Sequence, residues 1–375
     1  MMMFVAYVTD PERVFLALLR DRGPLSRGEI HRALNRRPNT VGDAVAQMID
    51  KRLIREGTPQ SSGIGRPSTP LEIDPEGRSV MGLALREGYV GLCRLNLLGQ
   101  PLEAVLDRQV GSHESLLDIA QTALTEQLTA NDIAIGLSSP GFVDPQARTI
   151  LQSSATPATP SISLDPIYAA AGHRPVVLEN DMHALAAHWT LTHALNQDED
   201  LLLVNMADGA IGAALLVAGK PNRGCVVGGN ELGHVRLPVE TDVCFCGHTG
   251  CLERICSSAQ WTRLDGRPGD LSQQARALDP QDAALRTVID QLGLGLANAI
   301  NFIRPNRLVL AGPLAQIDGF TQTLICVVRG HLLGPLVSRV AIETWGNPPG
   351  SIAQVAGWLA LASLYSPNWI ASKST

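Results

Sequence analysis

The segment that most restricts what this chain can become lies near its middle: Glu231-Leu232-Gly233-His234, then Cys244-Phe245-Cys246, then Cys251. Three thiolates and one imidazole make a complete tetrahedral ligand set, the shell in which zinc is held by sulfur and nitrogen with no position open to water. A closed shell stabilises structure rather than activating a nucleophile, so the spacing predicts a structural zinc ion on His234, Cys244, Cys246 and Cys251. Gly247 and Gly250 stand where the loop must turn sharply to return Cys251 to Cys246. His248, inside the same loop, is an alternative fourth ligand, and a set of reduced, buried cysteines is the alternative to any metal.

A length of 375 residues exceeds what one hydrophobic core usually serves, so at least two domains are expected. The apolar opening of residues 1–8 is short, lacks a basic leader and meets Asp10, and does not read as a signal peptide. Residues 201–219 are the longest apolar stretch, but Asn205, Asp208 and several glycines divide it into two buried strands around a turn rather than a membrane span. Seven cysteines, three of them in the zinc set, fit a reducing cytoplasm better than a disulfide framework. The net charge of -6 is unevenly spread: residues 1–70 hold 11 Lys/Arg and 7 Asp/Glu, whereas the rest hold 19 and 29. A basic head on an acidic body predicts that the head meets a polyanion.

The head reads as a winged helix-turn-helix. Residues 11–22 place Val14, Phe15, Ala17, Leu18 and Leu19 at helical spacing. Ser26-Arg27-Gly28-Glu29 is a capping box that starts a second helix through Ile30 and Leu34. A turn over residues 35–39 precedes a third helix over 40–51, whose inner face is Val41, Val45, Met48 and Ile49. The last helix of such a unit enters the major groove, so Arg36, Arg37, Asn39 and Thr40 are expected at DNA. Residues 53–57 and 71–73 read as the strands of a wing. Between them Arg66, flanked by Gly65 and Pro67, is placed to reach a narrow minor groove; a solvated hairpin loop is the plain alternative. The head is assigned to residues 1–75 and the body to 76–375.

In the body, strands are expected at 80–85, 91–96, 133–137, 176–178, 201–205, 213–217 and 307–310, and helices at 114–129, 183–195, 282–303 and 353–365. This mixture implies a two-lobed α/β body with its site in the cleft. The Glu231 to Glu253 block, with Glu-x-Gly-His followed by Cys-x-Cys-Gly-x-x-Gly-Cys, resembles the ROK family of sugar kinases and sugar-responsive repressors. The resemblance continues in Gly136-Leu137-Ser138-Ser139-Pro140-Gly141-Phe142-Val143-Asp144, in Glu179-Asn180-Asp181 and in Ala311-Gly312, and covers residues 76–370. It implies the actin-like ATPase fold for the body, with a winged helix-turn-helix in front in the repressor members. It further implies that Asn180, Asp181, Glu231, His234 and Glu253 hold the hydroxyls of a sugar, Asp181 standing at the general-base position of the kinases. A carboxylate suits both tasks, since it accepts two hydroxyl hydrogen bonds and can take a proton. His234 would offer one ring nitrogen to the sugar and the other to zinc. The plain alternatives are a helix N-cap for Asp181 and solvated carboxylates for Glu231 and Glu253; His183 and His188 are expected on a helix surface.

The nucleotide side departs from the kinase pattern. The Asp-x-Gly-x-Thr turn after the first strand corresponds to Ala84, Arg86 and Gly88, the second phosphate loop to residues 208–212, and the later Gly-Gly pair to Gly312-Pro313. Phosphate loops need a carboxylate near the metal and glycines that let backbone amides approach. The sequence therefore predicts a cytoplasmic DNA-binding regulator, a repressor, with a degenerate sugar-kinase body. Its expected partners are operator DNA, a sugar or sugar-derivative effector and further copies of itself in a dimer or tetramer. The alternative is an active ATP-dependent sugar kinase with an appended DNA-binding domain; a constitutive DNA-binding protein with a purely structural body is a third reading.

Overall fold

The computed structural model describes residues 7–59, 69–111, 115–152, 161–193, 198–266, 268–277, 279, 281–346, 350–366 and 369. The chain opens with α1 (Asp10–Arg22), α2 (Arg27–Leu34) and α3 (Pro38–Asp50), followed by β1 (Ile54–Glu56) and β2 (Leu71–Ile73). Ser26 caps α2 as its sequence requires: Glu29 returns its carboxylate to the Ser26 backbone N–H at 2.8 Å, so two donors that the helix cannot satisfy find partners. The third helix begins at Pro38, two residues before the expected start, because proline has no N–H to lose at the first helical position and its φ is already helical. In α1 the buried stripe is Phe15, Leu16 and Leu19, and the expected Val14 is half exposed. Strands β1 and β2 pair antiparallel, with Ile54 opposite Ile73.

The first lobe is built on β3 (Ser79–Arg86), β4 (Tyr89–Asn96), β5 (Pro101–Gln109), α4 (Leu116–Gln127), β6 (Asp132–Ser139), the short strands β7 (Phe142–Asp144), β8 (Thr149–Gln152) and β9 (Ile162–Ser163), α5 (Asp165–Ala171) and β10 (Val176–Asn180). Its sheet has the order β10-β6-β3-β4-β5. Helix α6 (Asp181–Thr192) then leads to the second lobe: β11 (Leu201–Ala207), β12 (Ala210–Val217), β13 (Lys220–Pro221), a 3-10 turn Leu232–His234, α7 (Leu252–Ile255), α8 (Ser258–Asp265), α9 (Leu271–Ala277), α10 (Ala283–Ile303), β14 (Arg307–Ala311), α11 (Asp318–His331), α12 (Gly334–Val337) and β15 (Ala341–Thr344). Its sheet runs β13-β12-β11-β14-β15. In both sheets the first strand is central, an antiparallel meander lies on one side and two parallel strands lie on the other. The lobes thus repeat one topology that no sequence repeat announces.

The last helix, α13 (Ile352–Tyr365), is buried all round, as a sequence apolar but for Gln354 and Ser363 demands. It packs on β3, β6 and α6 and also touches α1, so one helix joins the first lobe, the inter-lobe helix and the head. Tyr365 donates its hydroxyl to the Leu97 carbonyl, and the Arg20 guanidinium of α1 lies 5.0 Å from the Tyr365 ring centre. His183 and His188 are buried, which corrects the expected surface placement. His188 stacks on Trp358, with ring centres 4.6 Å apart, and burial followed by the nearby His193 pushes its pKa down to about 4. Among the described residues no helix is long and apolar enough to cross a membrane.

Candidate functional site

A cleft of about 410 Å³ lies between the lobes, bordered by Arg86, Gly141, Asn180, Asp181, Glu231, His234 and Glu253 among others. The parallel strand β10 delivers Asn180 to its rim, and α6 begins there. Asn180 is the N-cap of α6: its Oδ1 accepts the Met182 N–H at 2.8 Å and its Nδ2 donates to the Gly141 carbonyl at 2.8 Å. The cap role weighed for Asp181 therefore belongs to its neighbour. Asp181, the first residue of the helix, instead accepts a 2.7 Å hydrogen bond from the Arg86 guanidinium at the end of β3. Behind the rim, the buried Glu179 carboxylate accepts from Arg223 Nε at 2.6 Å and pairs with His183 Nδ1 at 2.9 Å. Arg223 follows β13, so this contact ties the second lobe to the strand that carries Asn180.

Glu231 faces His234 across 3.6 Å. Desolvation in the cleft, then the charges of Asp181 and Glu253, push its pKa up to about 7. At neutral pH such a group is both a donor and an acceptor of hydroxyl hydrogen bonds. Glu253, the second residue of α7, is buried and accepts from Cys244 Sγ at 2.9 Å, so it borders the cysteine loop as well as the cleft.

His234, Cys244, Cys246 and Cys251 converge, with one donor atom of each within 4.8 Å of all the others. Cys246 and Cys251 have their sulfurs 3.6 Å apart, and Cys244 Sγ lies 3.5 Å from His234 Nδ1. Zinc–sulfur bonds of about 2.3 Å and zinc–nitrogen bonds of about 2.0 Å put tetrahedral donors at this spacing, so the residues present fit a four-coordinate metal ion. The other ring nitrogen of His234 points toward Glu231, as expected for a residue shared between metal and cleft. His248 Nδ1 is 3.6 Å from Cys246 Sγ, beside the cluster but outside its four-donor set. Gly250 has φ of 79°, and a Cβ there would stand 2.2 Å from the Leu237 carbonyl, which is why the loop turns at glycine. Burial, then Glu253, raise the Cys244 thiol to about 12, so metal capture must displace a proton.

Ala84 is buried within β3, and Arg86 is the last residue of that strand. Asp208 sits in the β11–β12 turn and accepts the Ser258 backbone N–H at 2.7 Å as well as its hydroxyl. That N–H is one of the donors at the start of α8 that the helix itself leaves unsatisfied, the kind of group that can cradle phosphate, and Asp208 takes it here. In the head, Arg36 and Arg37 lie in the turn before α3, Asn39 and Thr40 lie in its first turn, and all four are exposed. Arg66 lies outside the described residues. Sequence reasoning did not single out Arg223, Phe245 or Arg254; the last two border the cleft and had proximity to the cysteine motif as their signal, whereas Arg223 had none.

The profile of the ROK family matches residues 104–362. The xylose repressor of Caldicellulosiruptor bescii is 23% identical over 334 residues, covering 81% of this chain and 83% of that protein. Among solved structures, a ROK family transcriptional regulator described as a homologue of the E. coli MLC protein has a TM-score of 0.77 at 22% identity, covering 96% of this chain and 98% of that one. A ROK family glucokinase from Streptomyces griseus has a TM-score of 0.59 at 20% identity and covers 75% of this chain against 99% of its own. The expected actin-like, two-lobed α/β fold is the fold of this chain.

Proposed function

This chain belongs to the ROK family, and from that premise we propose that it is a cytoplasmic, sugar-responsive transcriptional repressor. Residues 1–75 bind operator DNA and residues 76–375 sense the sugar. Arg36, Arg37, Asn39, Thr40 and Arg66 meet the DNA, the residues at the start of α3 at the major groove and Arg66 in the minor groove. Asn180, Asp181, Glu231, His234 and Glu253 hold the sugar hydroxyls. A zinc ion on His234, Cys244, Cys246 and Cys251 would fix the loop that presents Glu231 and Glu253; bound there, it supplies rigidity and no reaction chemistry. Similarity to the xylose repressor and to a ROK transcriptional regulator supports this reading.

The observation that carries it is the route from cleft to head. Asp181 starts α6, α6 packs on α13, and α13 touches α1. Ligand that favours one lobe arrangement thereby biases where the heads of an oligomer lie on DNA, to the extent that its affinity differs between the two states. The Arg86–Asp181 pair favours sensing over phosphoryl transfer. A general base must be free to accept the attacking hydroxyl's proton, whereas here its carboxylate already holds a guanidinium. Asp208 at the start of α8 adds negative charge where a phosphate would bind.

The test is ATP consumption by the purified protein across a sugar panel, alongside DNA binding with the same sugars. Sugar-dependent change in DNA affinity without ATP turnover is expected. Sugar-dependent turnover that disappears in Asp181→Asn would establish the kinase alternative instead.

A further inference from the structure

A second chamber of about 520 Å³ adjoins the cleft and shares Glu231, His234 and Phe245 with it. Each space alone lies within the range of small-molecule sites, roughly 300–1,000 Å³. A monosaccharide held by Asn180 and Asp181 accounts for the first and leaves the second vacant. Glu231 and His234 line both spaces, so a substituent on a sugar oxygen bound by them would have the second space within reach.

The lining of that space has a definite chemistry. Phe142 and Phe245 offer two aromatic rings, while Gln152 and Arg236 provide polar edges. Both rings are held in place before any ligand arrives. Phe142 packs on the backbone of Gly228 so closely that a Cβ there would fall 2.5 Å from its Cδ1. Phe245 stands edge-on to His234, with ring centres 4.7 Å apart and planes at 82°. A pyranose has apolar C–H faces that stack on such rings, and a rim of hydroxyls that an amide and a guanidinium can bind. Aromatic surface with a few converging polar groups is the general pattern of a specific small-molecule site.

We propose that the effector is a two-ring glycoside, a disaccharide or a glycoside with a ring aglycone, whose second ring occupies the chamber between Phe142 and Phe245. The inference rests on the reading of the cleft as a sugar site. Phe142, Gln152 and Arg236 then determine specificity without bordering the monosaccharide cleft.

The test is calorimetry on the full-length protein. The probes are D-glucose, D-galactose, D-mannose and D-xylose, disaccharides of each in both anomeric linkages, and their 4-nitrophenyl glycosides. At least one two-ring ligand should bind tenfold or more tightly than its parent monosaccharide. Phe142→Ala and Gln152→Ala should each remove at least threefold of that advantage and leave the parent's Kd within twofold. Phe142→Leu, which keeps the packing on Gly228 but loses the ring face, should act like Phe142→Ala and controls for misfolding. An advantage confined to 4-nitrophenyl glycosides assigns the chamber to an aromatic aglycone; one that extends to disaccharides assigns it to a second sugar. A monosaccharide that binds with no two-ring ligand above it, or an advantage untouched in all three variants, would overturn the inference and leave the sugar cleft standing. Binding by neither class would overturn the sugar reading itself, and this inference with it.

Discussion

Arg223→Ala should expose how firmly the second lobe is tied beneath the site. The substitution removes the guanidinium that meets Glu179, a carboxylate only 1% exposed, from a residue that is itself 19% exposed. Removing one partner of a buried ion pair costs roughly 3–5 kcal/mol, and the surviving bond to His183 together with the partial exposure of Arg223 places this case near about 3 kcal/mol. With an unfolding entropy of about 2.1 cal/mol/K per residue, a cooperative unit of roughly 300 residues would lose about 5 °C in Tm. The pH dependence has a definite sign. Burial acts to raise the Glu179 pKa, but hydrogen bonds and charge from His183 and Arg223 outweigh it and hold the group below its usual 4.5. A depressed carboxylate contributes stability that is full above its unfolded pKa and is lost as pH falls through its folded one. The gap between wild type and variant, measured by calorimetry or urea unfolding, should therefore be widest at neutral pH and close in acid. A loss under about 1 kcal/mol at neutral pH, the range of a solvated pair, or a gap that ignores pH, would refute the reasoning.

Purified protein should carry about one zinc per chain by elemental analysis, and Cys246→Ser should lose it along with stability; full zinc content in a Cys244/Cys246/Cys251 triple serine variant would exclude these ligands. Arg37→Ala and Arg66→Ala should each weaken DNA binding and flatten its salt dependence by roughly one unit of slope, as loss of one cation at the DNA surface requires. A protein lacking residues 1–75 that binds DNA as tightly as the full chain would contradict the head assignment. Arg86→Ala frees Asp181 from a part-exposed pair worth about 0–1 kcal/mol, so sugar affinity should rise by up to about fivefold; a marked fall would mean that Arg86 itself holds the sugar.

Local chemistry was legible in the sequence wherever neighbours in the chain decide it. The capping box at Ser26 and Glu29 follows from residues three positions apart and forms in the structure, and the four donors of the cysteine motif, within eighteen positions of one another, come together as a group that could hold a metal ion. The start of α3 was misplaced because Pro38, after two arginines, reads equally as the end of a turn or as a first helical residue. Strand β5 was missed because it is mostly exposed and lacks clear alternation. Burial of His188 depends on Trp345 and Trp358, which meet it only through the packing of α13 and its surroundings. The departure of Arg86 from the phosphate-loop pattern was visible in the sequence, but its bond to Asp181 was not, since that contact joins the end of one strand to a helix 95 positions later. Equally hidden was the shared strand order of the two sheets, because it is set by pairings between strands far apart in the chain.

The central claim is that one chain converts sugar occupancy of the cleft into a change at DNA. Fluorescence anisotropy of the full-length protein on a DNA fragment selected from a random-sequence library, titrated with and without each sugar of the panel, tests it most directly. At least one sugar should shift the DNA affinity tenfold or more in the wild type. In Asp181→Ala the shift should vanish while sugar-free affinity stays within about threefold, a change of roughly 0.7 kcal/mol. DNA affinity that no sugar alters, or a sugar response that survives intact in Asp181→Ala, would contradict the account.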